Sequence, residues 1–299
     1  MGTTSRVILC LAAAGCCALG LSPAGGTSDA ATRPPAGSPV RPPAGPSVRP
    51  PAGPRVGPNV PPLGDAALRP EVRDLRVLVV GDSWGGTLGN GMEKLANAAP
   101  DRHIVVVKAA RGGCGIMQPA RVEISNQLVA KPECNDWPEH WRGLVARVRP
   151  DAILLETGIY DAHTRQQLPG QDGPTSITDP VFRARFGAQV DRAVRVLGSG
   201  GARVFLTTVT DLAKPYWNEV NGRWSNLMNA ALRAAAARNP GVRLLDLHGQ
   251  MCTGDRDCPR VISGIDVYDE TGHPTPTARD RLAAWLLNAI HADLHAHAS

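Results

Sequence analysis

Short runs of Val, Ile and Leu recur from about residue 72 onward, separated by stretches in which apolar and polar residues alternate with a helical period. Such continuous apolar runs are typical of strands buried on both faces. They are Leu75–Val80, Ile104–Val107, Ala152–Leu155, Val204–Thr208 and Val242–Leu245. The intervening helical candidates are Leu88–Ala98, Glu139–Val148, Val181–Leu197, Ser225–Arg238 and, at the end, Thr277–Ala292. Five strand–helix units in succession predict a single doubly wound parallel α/β sheet with helices on both faces, a flavodoxin-like three-layer domain over residues 71–299.

In a parallel sheet of this kind, ligands bind at the carboxyl ends of the strands. The loops that follow the five predicted strands are therefore the places to look for chemistry. The segment that precedes the last helix belongs to the same edge of the sheet.

The first 70 residues have a different pattern. Residues 1–24 resemble an export signal, with Arg6 before an apolar run of 15 residues and small residues up to Ala24. Cys16 follows Ala-Ala-Gly, which also fits a lipoprotein signal and a membrane tether. Residues 25–70 are rich in Pro, Gly and Ala, with a repeat that begins at Arg33, Arg41 and Arg49, and we expect a disordered linker. The protein is thus predicted to be secreted or attached to the cell envelope.

The net charge of +5 does not indicate a nucleic-acid partner. Residues 1–70 carry six Arg and two Asp, so the remaining 229 residues have a formal charge of only +1. A nucleic-acid-binding domain needs a basic surface, which these numbers do not provide. We expect a monomer without a nucleic-acid partner.

Four of the seven cysteines lie outside the export signal, an even number that suits an oxidising compartment. Proximity along the chain favours the pairs Cys114–Cys134 and Cys252–Cys258. The alternative is a four-cysteine zinc site, but the sequence contains no Cys-x-x-Cys spacing.

The loop after the first strand reads Gly81-Asp82-Ser83-Trp84-Gly85-Gly86. A serine between a strand and a helix lies at the helix N-terminus, where free N–H groups and the helix dipole stabilise developing negative charge. The plainer interpretation is that Ser83 only caps the helix. A phosphate-binding loop is a third interpretation, but the loop has neither the spacing of a dinucleotide-binding motif nor the Gly-Lys-Ser/Thr ending of a P-loop.

The loop before the last helix contains His273, with Glu270 three residues and Asp269 four residues before it. A nucleophilic hydroxyl needs an imidazole to take its proton, and the imidazole needs a carboxylate that fixes its tautomer. Ser83, His273 and one of these two acids are therefore the candidate catalytic residues.

These two motifs together resemble the SGNH (GDSL-type) hydrolase family. The resemblance implies that a glycine in the second loop, best matched by Gly115, donates its N–H to the oxyanion. It also implies an asparagine donor in the third loop, where this sequence has Tyr160 instead.

A closer resemblance is to the SGNH domains attached to membrane acyltransferases that O-acetylate bacterial envelope glycans. It rests on Gly113-Cys114, on Cys134, on the pair Cys252 and Cys258, and on the segment from Tyr268 to His273. In this register Glu270 stands at the acid position, where the family has Asp.

The resemblance implies an exported serine esterase or O-acyltransferase that acts on ester-linked acetyl groups of envelope glycans, with an acylated carbohydrate or another small ester as substrate. We expect neither a cofactor nor a metal. Tyr160 and Glu270 favour the alternative of a non-catalytic glycan-binding protein with the same fold. A flavodoxin-like nucleotide binder is a third possibility.

Overall fold

The computed structural model describes residues 75–211, 222–252 and 258–298. All of them belong to one compact unit of the chain. The predicted export signal and linker lie outside the described residues. Among the helices in the described ranges, none combines the length and the apolar character that a membrane crossing requires.

The strands and helices follow one another as the apolar pattern predicts, with several short additions. The strands are β1 (Leu75–Gly81), β2 (Ile104–Lys108), β3 (Arg121–Ile124), β4 (Gln127–Val129), β5 (Ala152–Glu156), β6 (Gln166–Gln167), β7 (Arg203–Thr207), β8 (Val242–Leu245), β9 (Val261–Ile262) and β10 (Ile265–Asp266). The helices are α1 (Ser83–Ala98), α2 (Trp137–Val148), α3 (Ile159–His163), α4 (Pro180–Gly198), α5 (Gly222–Arg238), α6 (Leu247–Met251) and α7 (Pro276–Ala298). Two 3₁₀ turns cover Pro100–Arg102 and Pro132–Cys134.

Five strands form the central sheet in the order β2-β1-β5-β7-β8, and every neighbouring pair is parallel. The chain thus moves from β1 outward to β2 and then returns to the other side of β1. The point of return, between β1 and β5, is where ligands bind in doubly wound sheets. The predicted fold class is confirmed.

The inner strands β1, β5 and β7 are almost entirely buried, which explains their apolar runs, whereas the edge strands β2 and β8 are partly exposed. Val77 to Val80 and Ala152 to Leu155 are fully buried. Helix α1 packs against α7, while α4 contacts both α2 and α5. Crossovers between parallel strands are right-handed, so units that step in opposite directions from β1 place their helices on opposite faces.

Helix α1 begins earlier than the sequence predicts, at Ser83 instead of Leu88. Its first turns contain Gly85, Gly86 and Gly89, which mask the helical period and have low helix propensity. The side chain of Asp82 accepts a hydrogen bond from the N–H of Trp84 and so starts the helix at this point.

The antiparallel sheet β4-β3-β6, the hairpin β9-β10 and the short helices α3 and α6 are not predicted by the apolar pattern. Each has five or fewer residues, too few to show a period. They lie in the connections between the core elements, so they leave the predicted strand–helix order unchanged.

Candidate active site

Ser83 and His273 meet although 190 positions separate them in the sequence: Ser83 Oγ lies 2.7 Å from His273 Nε2. Ser83 is the first residue of α1, and His273 lies just before α7. Because α1 and α7 pack against each other, their N-terminal ends carry the two side chains to the same edge of the sheet. An unprotonated Nε2 at this distance can accept the hydroxyl proton of Ser83.

Asp82 holds the nucleophile loop in place. Its Oδ1 accepts a hydrogen bond from the N–H of Trp84 at 2.9 Å, and its Oδ2 accepts one from the N–H of Tyr160 at 3.0 Å. The first contact fixes the start of α1, and the second joins this loop to the start of α3. The N–H of Ser83 has no acceptor among the described residues, so it is available at the positive end of the helix dipole.

A second acid lies beneath this loop. Glu156 ends β5, pairs in register with Gly81 and is completely buried. Gly81 has a φ of +132°, and a Cβ there would lie 1.5 Å from the carbonyl oxygen of Glu156, so only glycine fits. Burial and the neighbouring charge of Asp82 raise the pKa of Glu156 well above its usual value. Burial also raises the pKa of Asp82, but its two N–H donors make Asp82 the ionised member of the pair.

The loop that carries His273 is a tight turn closed by its own backbone. The N–H of Asp269 donates to the carbonyl of His273 at 2.7 Å, and the N–H of Gly272 donates to the carbonyl of Asp269 at 3.2 Å. Asp269 Oδ1 accepts hydrogen bonds from the N–H of Thr271 at 2.8 Å and from that of His273 at 3.1 Å. The turn therefore fixes the position of the His273 backbone.

The side chain of Thr271 lies between Asp269 and the His273 ring. Its hydroxyl oxygen is 2.7 Å from Asp269 Oδ1 and 2.7 Å from His273 Nδ1. Trp84 supports the ring, with a centroid distance of 6.5 Å, and Trp84 is itself buried.

Glu270, the acid at the family position, is exposed and makes no hydrogen bond to any described residue. The structure therefore favours Asp269 over Glu270 as the acid associated with His273. The catalytic role of either carboxylate stays a prediction.

The second loop brings Gly112 next to the nucleophile. A Cβ on Gly112 would lie 3.7 Å from Ser83 Cβ, whereas a Cβ on Gly115 would lie 2.1 Å from Asp161 Oδ1. The Asp161 carboxylate accepts a hydrogen bond from the N–H of Ile116 at 2.8 Å and holds this part of the loop. The N–H of Gly112 has no acceptor among the described residues, which makes it a candidate oxyanion donor.

Tyr160 contacts the nucleophile loop through its backbone, since its N–H donates a hydrogen bond to Asp82. Its hydroxyl is buried without a partner in the described part of the chain, and burial raises its pKa to about 12, so the hydroxyl keeps its proton. The Lys131 ammonium lies 5.5 Å from the centre of the Tyr160 ring and donates to the carbonyl of Gly113 at 2.6 Å. An oxyanion role for Tyr160 or Gly115 stays a prediction.

Both predicted disulfides, Cys114–Cys134 and Cys252–Cys258, are confirmed, and the alternative of a four-cysteine zinc site is wrong because all four sulfurs are joined in pairs. Cys114–Cys134 ties the second loop to the turn that carries Lys131. Cys258 Sγ accepts a hydrogen bond from the N–H of Asp211 at 3.3 Å.

Three residues of the site, Gly112, Glu156 and Thr271, were not singled out from the sequence, and neither was the role of Asp82 in holding the nucleophile loop. For Glu156 and Asp82 the sequence does contain a signal. Glu156 is an acid at the end of an apolar strand, and Asp82 precedes the first helical residue. Such positions are typical of buried site groups and of N-caps, respectively.

Several solved structures are similar to this chain. They include a lipase/acylhydrolase from Enterococcus faecalis (15% identity, TM-score 0.49, 73% of this chain and 96% of the other) and a GDSL-like lipase from Bacteroides thetaiotaomicron (14%, 0.49, 74% and 89%). Another is the periplasmic domain of a lipopolysaccharide acetyltransferase from Salmonella ser. Paratyphi A (14%, 0.45, 75% and 84%). No curated protein sequence matches.

The model of one family, described as the SGNH domain fused to AT3 domains, matches residues 54–287. This match covers most of the chain and every residue of the site described above. The chain belongs to this family of SGNH domains.

Proposed function

We propose that the protein is a serine esterase or O-acyltransferase and that its substrates are acetyl esters on cell-envelope glycans. The observation that carries the proposal is the 2.7 Å contact between Ser83 Oγ and His273 Nε2 at the N-terminus of α1. A capping serine needs no imidazole at hydrogen-bonding distance, whereas a nucleophile does.

In the proposed reaction, Ser83 Oγ attacks the carbonyl carbon of the ester while its proton passes to His273 Nε2. The carbonyl oxygen becomes an oxyanion, and we assign the N–H groups of Ser83 and Gly112 as the donors that stabilise it, since neither has an acceptor among the described residues. When the tetrahedral intermediate collapses, the C–O bond to the sugar breaks and the sugar oxygen takes the proton from His273. An acyl group then remains on Ser83.

The second half of the reaction decides between the two activities. If water attacks the acyl-enzyme, with His273 as base, acetate is released. If a sugar hydroxyl attacks, the acetyl group is transferred to a new glycan. The same residues serve both outcomes, since only the acceptor differs.

Two observations support an envelope glycan as substrate. The family is defined by domains fused to AT3 domains, and the resemblance of this sequence is to domains that act in O-acetylation of envelope glycans. The predicted export signal and Pro-rich linker suit a protein that acts outside the cytoplasm.

The test is the release of acetate from p-nitrophenyl acetate and from an O-acetylated envelope polysaccharide by the wild type and by Ser83→Ala. Ser199→Ala is the matched control, because Ser199 is exposed at the end of α4. We expect turnover by the wild type and the control and none by Ser83→Ala. If the folded wild type is as inert as Ser83→Ala on both substrates, the proposal is wrong and glycan binding without catalysis takes its place.

A further inference from the structure

The turn 269–273 places a threonine where a serine hydrolase needs a carboxylate. We infer that Thr271 is a positioning residue that couples the carboxylate of Asp269 to the His273 ring, and that Glu270 takes no part in this coupling. This inference rests on the proposed function, since it concerns the base of the same reaction.

The directions of the hydrogen bonds follow from the chemistry of each group. An ionised carboxylate only accepts, so the Thr271 hydroxyl donates its single proton to Asp269 Oδ1 at 2.7 Å. The Thr271 oxygen can then only accept from His273 Nδ1, which is 2.7 Å away. His273 must therefore carry its proton on Nδ1, which leaves Nε2 free to accept from Ser83 at 2.7 Å. Every donor in this series has one acceptor.

Among the described hydrogen bonds, Asp269 reaches the ring only through the Thr271 hydroxyl. Oδ1 already accepts from the N–H of Thr271 and the N–H of His273, and no hydrogen bond joins Asp269 to the ring. Although partial burial raises it, the hydrogen bonds from Thr271 and His273 hold the pKa of Asp269 below its usual value. Asp269 thus remains an anion, which keeps the hydroxyl of Thr271 oriented.

Glu270 occupies the outer side of the turn. It lies between Asp269 and Thr271 in sequence, is exposed, and hydrogen-bonds to no described residue. In the proposed reaction the proton of Ser83 moves to Nε2, and the proton on Nδ1 stays in place. The imidazolium is stabilised by the Thr271 oxygen and, through it, by Asp269. No proton passes to the carboxylate.

The kinetic test compares Thr271→Val, which keeps the shape and removes the hydroxyl, with Thr271→Ser, which retains the hydroxyl. With p-nitrophenyl acetate we expect kcat/KM to fall roughly 100-fold in Thr271→Val, at the low end for loss of a group that supports acid–base catalysis because Thr271 is exposed. Thr271→Ser retains most of the activity. Glu270→Gln, on the same turn, tests whether Glu270 is the acid instead, and the inference requires it to retain its activity. Ser199→Ala, at the exposed end of α4, is the control.

The second test determines the tautomer of the His273 ring and does not depend on esterase activity. In ¹⁵N-histidine-labelled Ser83→Ala protein, NMR is expected to show the proton of His273 on Nδ1. Adding Thr271→Val, or Thr271→Ala if the valine variant does not fold, populates the other tautomer, whereas adding Glu270→Gln does not. This readout stands even if the protein has no esterase activity, so the two proposals can fail separately.

Three results would overturn the inference. The first is an unchanged tautomer after loss of the Thr271 hydroxyl. The second is an equal loss of activity in Thr271→Ser and Thr271→Val. The third is a loss in Glu270→Gln as large as that in Thr271→Val, which would make Glu270 the acid.

Discussion

Asp82 and Tyr160 are joined by a hydrogen bond of 3.0 Å from the backbone N–H of Tyr160 to Asp82 Oδ2. This contact links the ends of β1 and β5, the two strands between which the sheet order reverses. The other oxygen of Asp82 caps α1. One buried carboxylate therefore sets the position of the nucleophile relative to the loop that follows β5.

Asp82→Ala is expected to remove both contacts. We expect the free energy of unfolding to fall by about 2 kcal/mol, since a helix cap and a buried hydrogen bond are lost, and esterase activity to fall with it. The control is Asp179→Ala, which removes the N-cap of α4 and lies outside the site. Urea unfolding and acetyl-ester hydrolysis measure both effects. Full activity in folded Asp82→Ala would show that the hydrogen bonds of Asp82 do not position Ser83.

Gly112 and Gly115 respond differently to an added methyl group. In Gly112→Ala the new Cβ would lie 3.7 Å from Ser83 Cβ, an ordinary van der Waals contact, so we expect the protein to fold. Because the methyl group lies beside the nucleophile, we expect the esterase activity to fall. In Gly115→Ala it would overlap the Asp161 carboxylate at 2.1 Å, so we expect a loss of stability. Thermal unfolding and hydrolysis of p-nitrophenyl acetate separate the two. A Gly112→Ala variant with the stability and activity of the wild type would show that Gly112 does not border the substrate site.

Glu156→Gln is expected to change how stability depends on pH. Burial and Asp82 raise the pKa of Glu156 in the folded state, so the folded protein binds more protons than the unfolded chain once the pH exceeds the usual pKa of about 4.5. Glu156 therefore destabilises the wild type increasingly as the pH rises toward its folded pKa. Glutamine cannot titrate, so the variant should gain stability relative to the wild type as the pH rises from about 5 toward the folded pKa of Glu156.

Melting temperatures of both proteins across this range test the effect of Glu156. Glu139→Gln, which removes an exposed acid from α2, is the control and should leave the pH dependence as it is in the wild type. A constant difference between Glu156→Gln and the wild type at all pH values would show that Glu156 has the same protonation state in the folded and unfolded proteins.

The Cys114–Cys134 disulfide stabilises the loop that carries Gly112. It joins residues 20 positions apart, and replacing both cysteines by alanine is expected to cost about 3 kcal/mol of unfolding free energy. The matched double variant of Cys252 and Cys258 opens a loop of only 6 positions and should cost less, about 2 kcal/mol. Chemical unfolding of both variants checks the order, and the reverse order would contradict the loop-length account.

The central sheet could be predicted from the sequence because its inner strands β1, β5 and β7 are almost entirely buried and therefore consist mainly of apolar residues. The edge strands β2 and β8 are partly exposed but are still rich in Val, Ile and Leu. The approach of Ser83 to His273 follows from the same prediction, since loops at one edge of a parallel sheet converge. The start of α1 could not be predicted in the same way. A single cap at Asp82 decides it, within a stretch whose glycines show no period.

The finer parts of the site depend on turn conformation, which spacing does not encode. Counting back from His273 selects Glu270, but the hydrogen bonds of Asp269 with its own turn direct Glu270 to solvent and place Thr271 at the ring. Likewise, three glycines in the second loop have similar neighbours in sequence, and only the position of Asp161 separates Gly115 from Gly112.

The most direct test of the central claim is covalent labelling of the nucleophile. A fluorophosphonate reacts with a serine only when a neighbouring base takes the hydroxyl proton. Intact-protein mass spectrometry followed by peptide mapping should find one adduct, on Ser83, in the wild type, with none in Ser83→Ala and much slower labelling in His273→Gln. A folded wild-type protein that resists the reagent, or an adduct on another residue, would contradict the assignment of Ser83 and His273 as nucleophile and base.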